Sequence, residues 1–165
     1  MTAGALRACG VFFGDTEDPN EGNPHGNLEH PRWKARPTMS RDAWFRTLRS
    51  DGWQVPDPWG IKAGVRHRNT ILTYDPSLIV LCKRPMSQIA DSRKRCGFGD
   101  SGAARKQWDR CLRLAQTCKL PVVTVDTAKL ASGDYSQVEP ACYVLGIPFN
   151  PDRIAEWIDP EAFHV

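Results

Sequence analysis

Two adjacent cations, Lys83 and Arg84, close an unbroken apolar run made of Leu78, Ile79, Val80, Leu81 and Cys82, and the hydroxyl of Ser92 follows eight residues after Arg84. A guanidinium can fork two charge-assisted hydrogen bonds to a phosphate, and a hydroxyl can add a third. The chemistry on offer is anion binding. Upstream, Glu29 and His30 are neighbours in a polar stretch, and either side chain can take a proton as a general base. Lys62 ends a short segment, WGIK. The same residues also suit plainer roles: cations at a strand end discourage edge pairing, and carboxylates in loops are mostly solvated. Six cysteines occur without any Cys-x-x-Cys pair, several of them at apolar positions. That spacing favours buried, reduced thiols over disulfides or a zinc site.

Elements must hold these groups in place. An apolar run without alternation is the pattern of a strand buried on both faces of a parallel sheet. Pro85 cannot continue such a strand but suits the first turn of a helix, and Met86, Ile89 and Ala90 follow at helical spacing. The expectation is strand, cationic turn, helix. Ligands of open parallel sheets bind at the carboxyl ends of strands, where helix amino ends present free N–H groups. A second buried strand is expected at 121–125, PVVTV, ended by Asp126. A third, shorter one is expected within 59–65, WGIKAGV.

Ala3, Leu6, Ala8, Cys9, Val11 and Phe12 read as a helix that starts almost at Met1 and stops near Gly10 or Gly14. Residues 15–37, rich in Asn, Gly, Pro and charge, read as a long surface loop. Ser40 caps a helix carrying Ala43, Trp44, Thr47 and Leu48, and Gly52 ends it. Trp108, Cys111, Leu112, Ala115 and Cys118 form an apolar helical stripe, with Arg105, Lys106, Arg110 and Arg113 as its solvated counterpart. Asp134 opens a helix that runs through Leu145 to Gly146, and the pair Asn150 and Pro151 opens the last one. The fold class is therefore α/β: a mainly parallel sheet of at least three strands, flanked by helices and joined by right-handed crossovers.

At 165 residues and 41% hydrophobic content, the whole of 1–165 is expected to form one domain with a real core. A net charge of +3 is too small to imply a nucleic-acid surface, and no run is long enough to span a bilayer. Arg7, Asp15, Glu17 and Asp18 interrupt any secretion signal, so a reducing cytoplasm is the expected compartment. Trp33, Trp44, Trp53 and Trp59 lie in one region of the chain. They suit packing, or the lining of a pocket for a sugar or an aromatic alcohol.

The chain resembles the sulfotransferases that use 3′-phosphoadenosine 5′-phosphosulfate, in particular their bacterial and phage members. The resemblance rests on NPHGNLE at 23–29, WGIK at 59–62, the strand ending in KRP at 83–85 with Ser92 eight residues after Arg84, PVVTV at 121–125 and IDPEAFH at 158–164. In that family, members read RSGTS before a helix like the one near Met1. This chain has neither that stretch nor Gly-x-x-x-x-Gly-Lys, so the expected architecture is a three-layer α/β/α fold of the P-loop type that lacks its first strand and phosphate loop, an N-terminally truncated form.

The resemblance implies a donor, 3′-phosphoadenosine 5′-phosphosulfate, no metal, and a small-molecule or carbohydrate acceptor presenting a hydroxyl or an amine. It implies that Arg84 and Ser92 hold the 3′-phosphate, with Lys83 as the alternative cation, because in RNP-type relatives the arginine lies two residues before the proline. Lys62 would neutralise charge as the sulfonate bond breaks, and Glu29, with His30 in reserve, would take the acceptor's proton. Ala63, Gly64 and Val65 depart from the WGIKDPR pattern after Lys62. Two rival readings stand beside this one. The first is a catalytically inactive remnant, or a module that binds nucleotides or nucleic acid. The second is a kinase-like phosphotransferase, which requires a magnesium-binding Asp and a phosphate-loop lysine.

Overall fold

The computed structural model describes residues 1–13, 39–50, 52, 54, 57–62, 68–95 and 102–158. Its centre is a pair of parallel strands, β1 (Ile79–Lys83) and β2 (Val122–Asp126), in the register Ile79 to Val122 through Lys83 to Asp126. Alternation along the pleat then sorts the side chains. Leu78, Val80, Val123 and Val125 join the main core cluster, and Lys83 and Asp126 share the opposite face as register partners.

The connection between the two strands holds α4 (Met86–Arg95) and α5 (Gly102–Thr117), which pack on each other. Parallel neighbours need such a crossover. Pro85 precedes α4, and its carbonyl accepts from the Ile89 N–H at 3.1 Å, the first-turn role expected of it. In α5 the predicted stripe turns slightly: Ala104 is buried and Trp108, Cys111, Ala115 and Cys118 are half-buried, whereas Leu112 points to solvent.

On the Val80 and Val125 face lie α1 (Thr2–Ala8), α7 (Glu139–Leu145) and α8 (Pro151–Trp157). The core they form contains Ala5, Leu6, Cys9, Val138, Ala141, Cys142 and Ile154. Helices α1 and α8 touch so closely at Gly4 that a Cβ there would fall 1.6 Å from a ring carbon of Trp157. The helix ends follow their sequence signals. Gly10 and Gly146 take φ values of 107° and 65° just beyond α1 and α7, and Asn150 Oδ1 accepts from the Arg153 N–H at 3.0 Å to cap α8.

A second cluster forms around α2 (Arg41–Ser50), whose Trp44 and Leu48 pack with Tyr74. Ser40 Oγ accepts from the Ala43 N–H at 3.3 Å, the cap the sequence predicts. Tyr74 follows α3 (Arg68–Leu72) and donates its hydroxyl proton to the Met39 carbonyl. Trp59 meets Phe45 edge to face, with ring centroids 4.9 Å apart.

Two expectations change. The expected strand at 59–65 forms, among the described residues, a single parallel bridge between Phe12 and Trp59, closed by Phe12 N–H to the Pro58 carbonyl and Gly60 N–H to the Phe12 carbonyl. Among the described residues the sheet is therefore small, two laddered parallel strands with this isolated bridge outside it. The segment after β2 is helical, α6 (Thr127–Ala131), because Asp126 caps it: its Oδ1 accepts from the Ala128 N–H at 3.0 Å. Asp134 binds Ser136, through the backbone N–H and the hydroxyl, and opens a short 3₁₀ turn at Ser136–Val138 before α7 begins. Gln137 completes the edge of β2 by accepting from the Asp126 N–H at 2.6 Å and donating to the Asp126 carbonyl at 2.9 Å.

Candidate functional site

The carboxyl ends of β1 and β2 gather charge. Lys83 and Asp126 are register partners on neighbouring strands, and their side chains meet at 3.3 Å. Burial pushes the Asp126 carboxyl up, but the Ala128 N–H and the Lys83 ammonium outweigh it and hold the carboxyl below its ordinary range. Lys83 is thereby drawn toward β2.

Arg84, one residue later, turns elsewhere. It is half-buried, and its Nε donates to Gln88 Oε1, one turn along α4, at a long 3.4 Å. Burial pushes the Met1 amine below its ordinary value, the charges of Lys62 and Arg84 act in the same direction, and Cys82 opposes them. Lys62 itself is solvent-exposed, just after the bridge that ties Trp59 to Phe12 in the segment following α1. The hydroxyls of Thr2 and Thr127, the first residues of α1 and α6, are buried with no hydrogen-bond partner among the described residues. Orphaned donors of this kind are uncommon in protein interiors.

The sequence-predicted residues thus divide. Lys83 is held by Asp126, Arg84 is half-buried with Gln88 beside it, and Lys62 is exposed on a separate segment. Ser92 lies on α4, and its side chain is outside what the structure describes. Glu29 and His30 lie outside the described residues, as do the segments at 23–29 and 159–164. Of the four clustered tryptophans, Trp44 is core and Trp59 is half-buried, while Trp33 and Trp53 are outside the described residues.

Two cavities flank the strands. One, about 300 Å³, is bounded by Phe13, Trp59, Ile71, Tyr74 and Val80, with Arg41, Asp57 and Asp75 as charged wall residues. Its lining is mostly apolar. The other, about 420 Å³, opens between the β1 to α4 turn and α5, and is lined by Lys83, Arg84, Pro85, Met86, Arg105, Trp108 and Asp109. The last three were not among the residues that sequence reasoning assigned to a site. Their positions on α5 are three and four apart, which places them on one helix face, but spacing cannot say which neighbour that face meets.

No family model, curated protein or solved structure matches this chain.

Proposed function

We propose that the chain is a sulfotransferase-like protein of the P-loop type, which carries a sulfonate group from 3′-phosphoadenosine 5′-phosphosulfate to a hydroxyl or amine of a small-molecule or carbohydrate acceptor. The observation that carries the reading is the cleft beyond the carboxyl end of β1, about 420 Å³, which Lys83, Arg84 and Arg105 line together. Cations separated in sequence and gathered at a strand end suit an anionic nucleotide. Arg84 and Ser92 anchor the 3′-phosphate. Lys83, engaged by Asp126, is the weaker candidate for that role.

In the reaction the acceptor oxygen or nitrogen attacks sulfur in line, and the bond from sulfur to the bridging phosphate oxygen breaks. Adenosine 3′,5′-bisphosphate leaves with the electron pair of that bond. Lys62 stabilises the charge developing on the departing oxygen, and Glu29 or His30 takes the acceptor's proton. As in phosphoryl transfer, positioning and electrostatics supply most of the acceleration.

Calorimetric titration tests the donor site. Adenosine 3′,5′-bisphosphate should bind more tightly than adenosine 5′-phosphate, and Arg84→Ala should remove that preference. The loss is about 1.5–3 kcal/mol, roughly ten- to a hundredfold in affinity, as for hydrogen bonds to charged groups. Equal affinity for the two nucleotides, or no binding of either, would overturn the reading. Selective binding without transfer of sulfonate to any acceptor would favour the inactive nucleotide-binding module instead.

A further inference from the structure

We propose that the cavity of about 300 Å³ at the amino end of β1 binds a lipophilic organic ammonium ion, a small molecule with one flat ring system and a short aminoalkyl arm. This site is separate from the nucleotide cleft and does not depend on the nucleotide reading. The cleft is lined by Lys83, Arg84 and Pro85, at and beyond the last residue of β1, whereas the cavity is lined by Ser77, Leu78 and Val80, before the strand and in its first half. Helix ends meet it there. Val11 follows α1, Tyr74 follows α3 and Leu145 closes α7, and all three line the cavity.

The cavity lies between the two apolar clusters. Leu6, Val11 and Val80 of the main core contribute to its wall, as do Trp59, Ile71 and Tyr74 of the second cluster. Protein interiors hold few voids larger than a water molecule, so a space of this size between packed clusters is suited to an occupant. An apolar cavity of about 150 Å³ takes up benzene, and small-molecule sites begin at roughly 300 Å³. The room available fits a ring system with a short chain.

The lining selects the chemistry. Phe13, Trp59 and Tyr74 supply aromatic rings, with those of Trp59 and Tyr74 6.3 Å apart between centroids. The Tyr74 hydroxyl donates to the Met39 carbonyl, so this residue offers the cavity its ring rather than its proton. The charged wall residues, Arg41, Asp57 and Asp75, are solvent-exposed and form the mouth. Two carboxylates stand there against one guanidinium, and that guanidinium lies over the Phe45 ring, 5.7 Å from its centroid. Asp75 has φ of 51° just past α3, a place where glycine or asparagine is usual, and an aspartate there brings negative charge to the mouth. Aromatic rings and carboxylates both attract an organic cation, and neither attracts an anion. A ring inside and an ammonium at the mouth use both parts of the wall. The amine so held is a ligand and not the sulfonate acceptor, because the cationic cleft of that reaction lies at the other end of β1.

Calorimetric titration of the full chain with tryptamine, with its neutral counterpart tryptophol and with anionic indole-3-propionate, reads the selectivity. Tryptamine should bind about three- to tenfold more tightly than tryptophol, and indole-3-propionate should bind more weakly than either. The double variant Asp57→Asn, Asp75→Asn should bring tryptamine down to the level of tryptophol and leave tryptophol unchanged, since asparagine also accepts a left-handed backbone. High salt should narrow the same gap. Ile71→Phe should weaken both indoles at least about tenfold without lowering the melting temperature, because the added ring enters open space. Arg84→Ala and Arg105→Gln, which alter the nucleotide cleft, should leave tryptamine binding as in the parent. Equal affinity for the three probes, no binding of tryptamine, or a lower melting temperature for Ile71→Phe would overturn the proposal. Loss of tryptamine binding in Arg84→Ala or Arg105→Gln would place the amine in the other cleft and overturn it too. None of these titrations contains a nucleotide, so the result stands apart from the test of the donor site.

Discussion

Lys83 and Arg84 are neighbours with the same charge, and their surroundings give them different work. Lys83 ends β1 in register with Asp126 and pairs with it at 3.3 Å, whereas Arg84 lies past the strand, half-buried, with its Nε toward Gln88 on α4. Lys83→Ala should therefore leave affinity for adenosine 3′,5′-bisphosphate within about threefold of the parent, well short of the loss at Arg84 when both are measured by calorimetry. The effect of Lys83 should instead appear in acid. Because the Asp126 carboxyl is held below its ordinary value in the folded state, it stabilises the fold above its unfolded pKa, about 3.9, and that contribution disappears as pH falls through the lower folded value. Urea midpoints recorded from neutral pH downward should fall less steeply below about pH 4 for Asp126→Asn than for the parent. Parallel curves for the two proteins would show that the ion pair and the cap contribute nothing to the acid limb.

Helix α1 illustrates how elements here depend on one another. Seven residues are too few for a helix to persist alone in water, and no side chain caps its start, so α1 owes its existence to what it packs on. Gly4 is the point of closest approach to α8, with the Trp157 ring occupying the space a Cβ would need. Propensity alone would favour Gly4→Ala by about 1 kcal/mol. The collision should reverse that sign, since overpacking typically costs about 1–3 kcal/mol and the ring of Trp157 cannot yield without leaving the core. A lower melting temperature for Gly4→Ala is the expected result, and an increase would mean that α1 and α8 do not meet as described. At the other end of α7, Gly146 has φ of 65°, and Gly146→Ala should cost roughly 1 kcal/mol because an L side chain is strained there.

The described parts of the whole molecule share one main core, built by α1, both strands, α7 and α8. Cys9 on the end of α1 and Cys142 on α7 are buried side by side in it, at 6% and 1% exposure. Burial, and then the neighbouring Cys9, pushes the Cys142 thiol up to about 12. Cys82, at the strand end, is exposed. An aromatic disulfide reagent at pH 8 should therefore modify Cys82 in the native protein and reach Cys9 and Cys142 only after denaturant is added, as mass spectrometry of digests would show. Rapid native labelling of Cys142 would contradict the core described.

What the sequence determined was whatever depends on a few neighbouring residues. The run from Leu78 to Cys82 had no alternation and forms most of a parallel strand, Ile79–Lys83, although only Leu81 in it is buried and Cys82 is exposed; Ser40, Asn150, Gly52, Gly10 and Gly146 marked helix ends through backbone geometry that each residue type favours on its own. Lys62 and Arg84 were legible as candidate anion contacts because their charge and their place at segment ends are local facts. Tertiary structure decided the rest. That Trp59 makes one bridge rather than a strand depends on Phe12, far away in the chain. That the stretch after β2 coils into α6 depends on Asp126 serving at once as strand end, ion-pair partner and cap. The faces of Arg105, Trp108 and Asp109 were fixed by helical spacing, but only packing of α5 beside the β1 turn set them opposite Arg84. Spacing along one helix fixes which side chains share a face; which other element that face meets is set by burial summed over the whole chain.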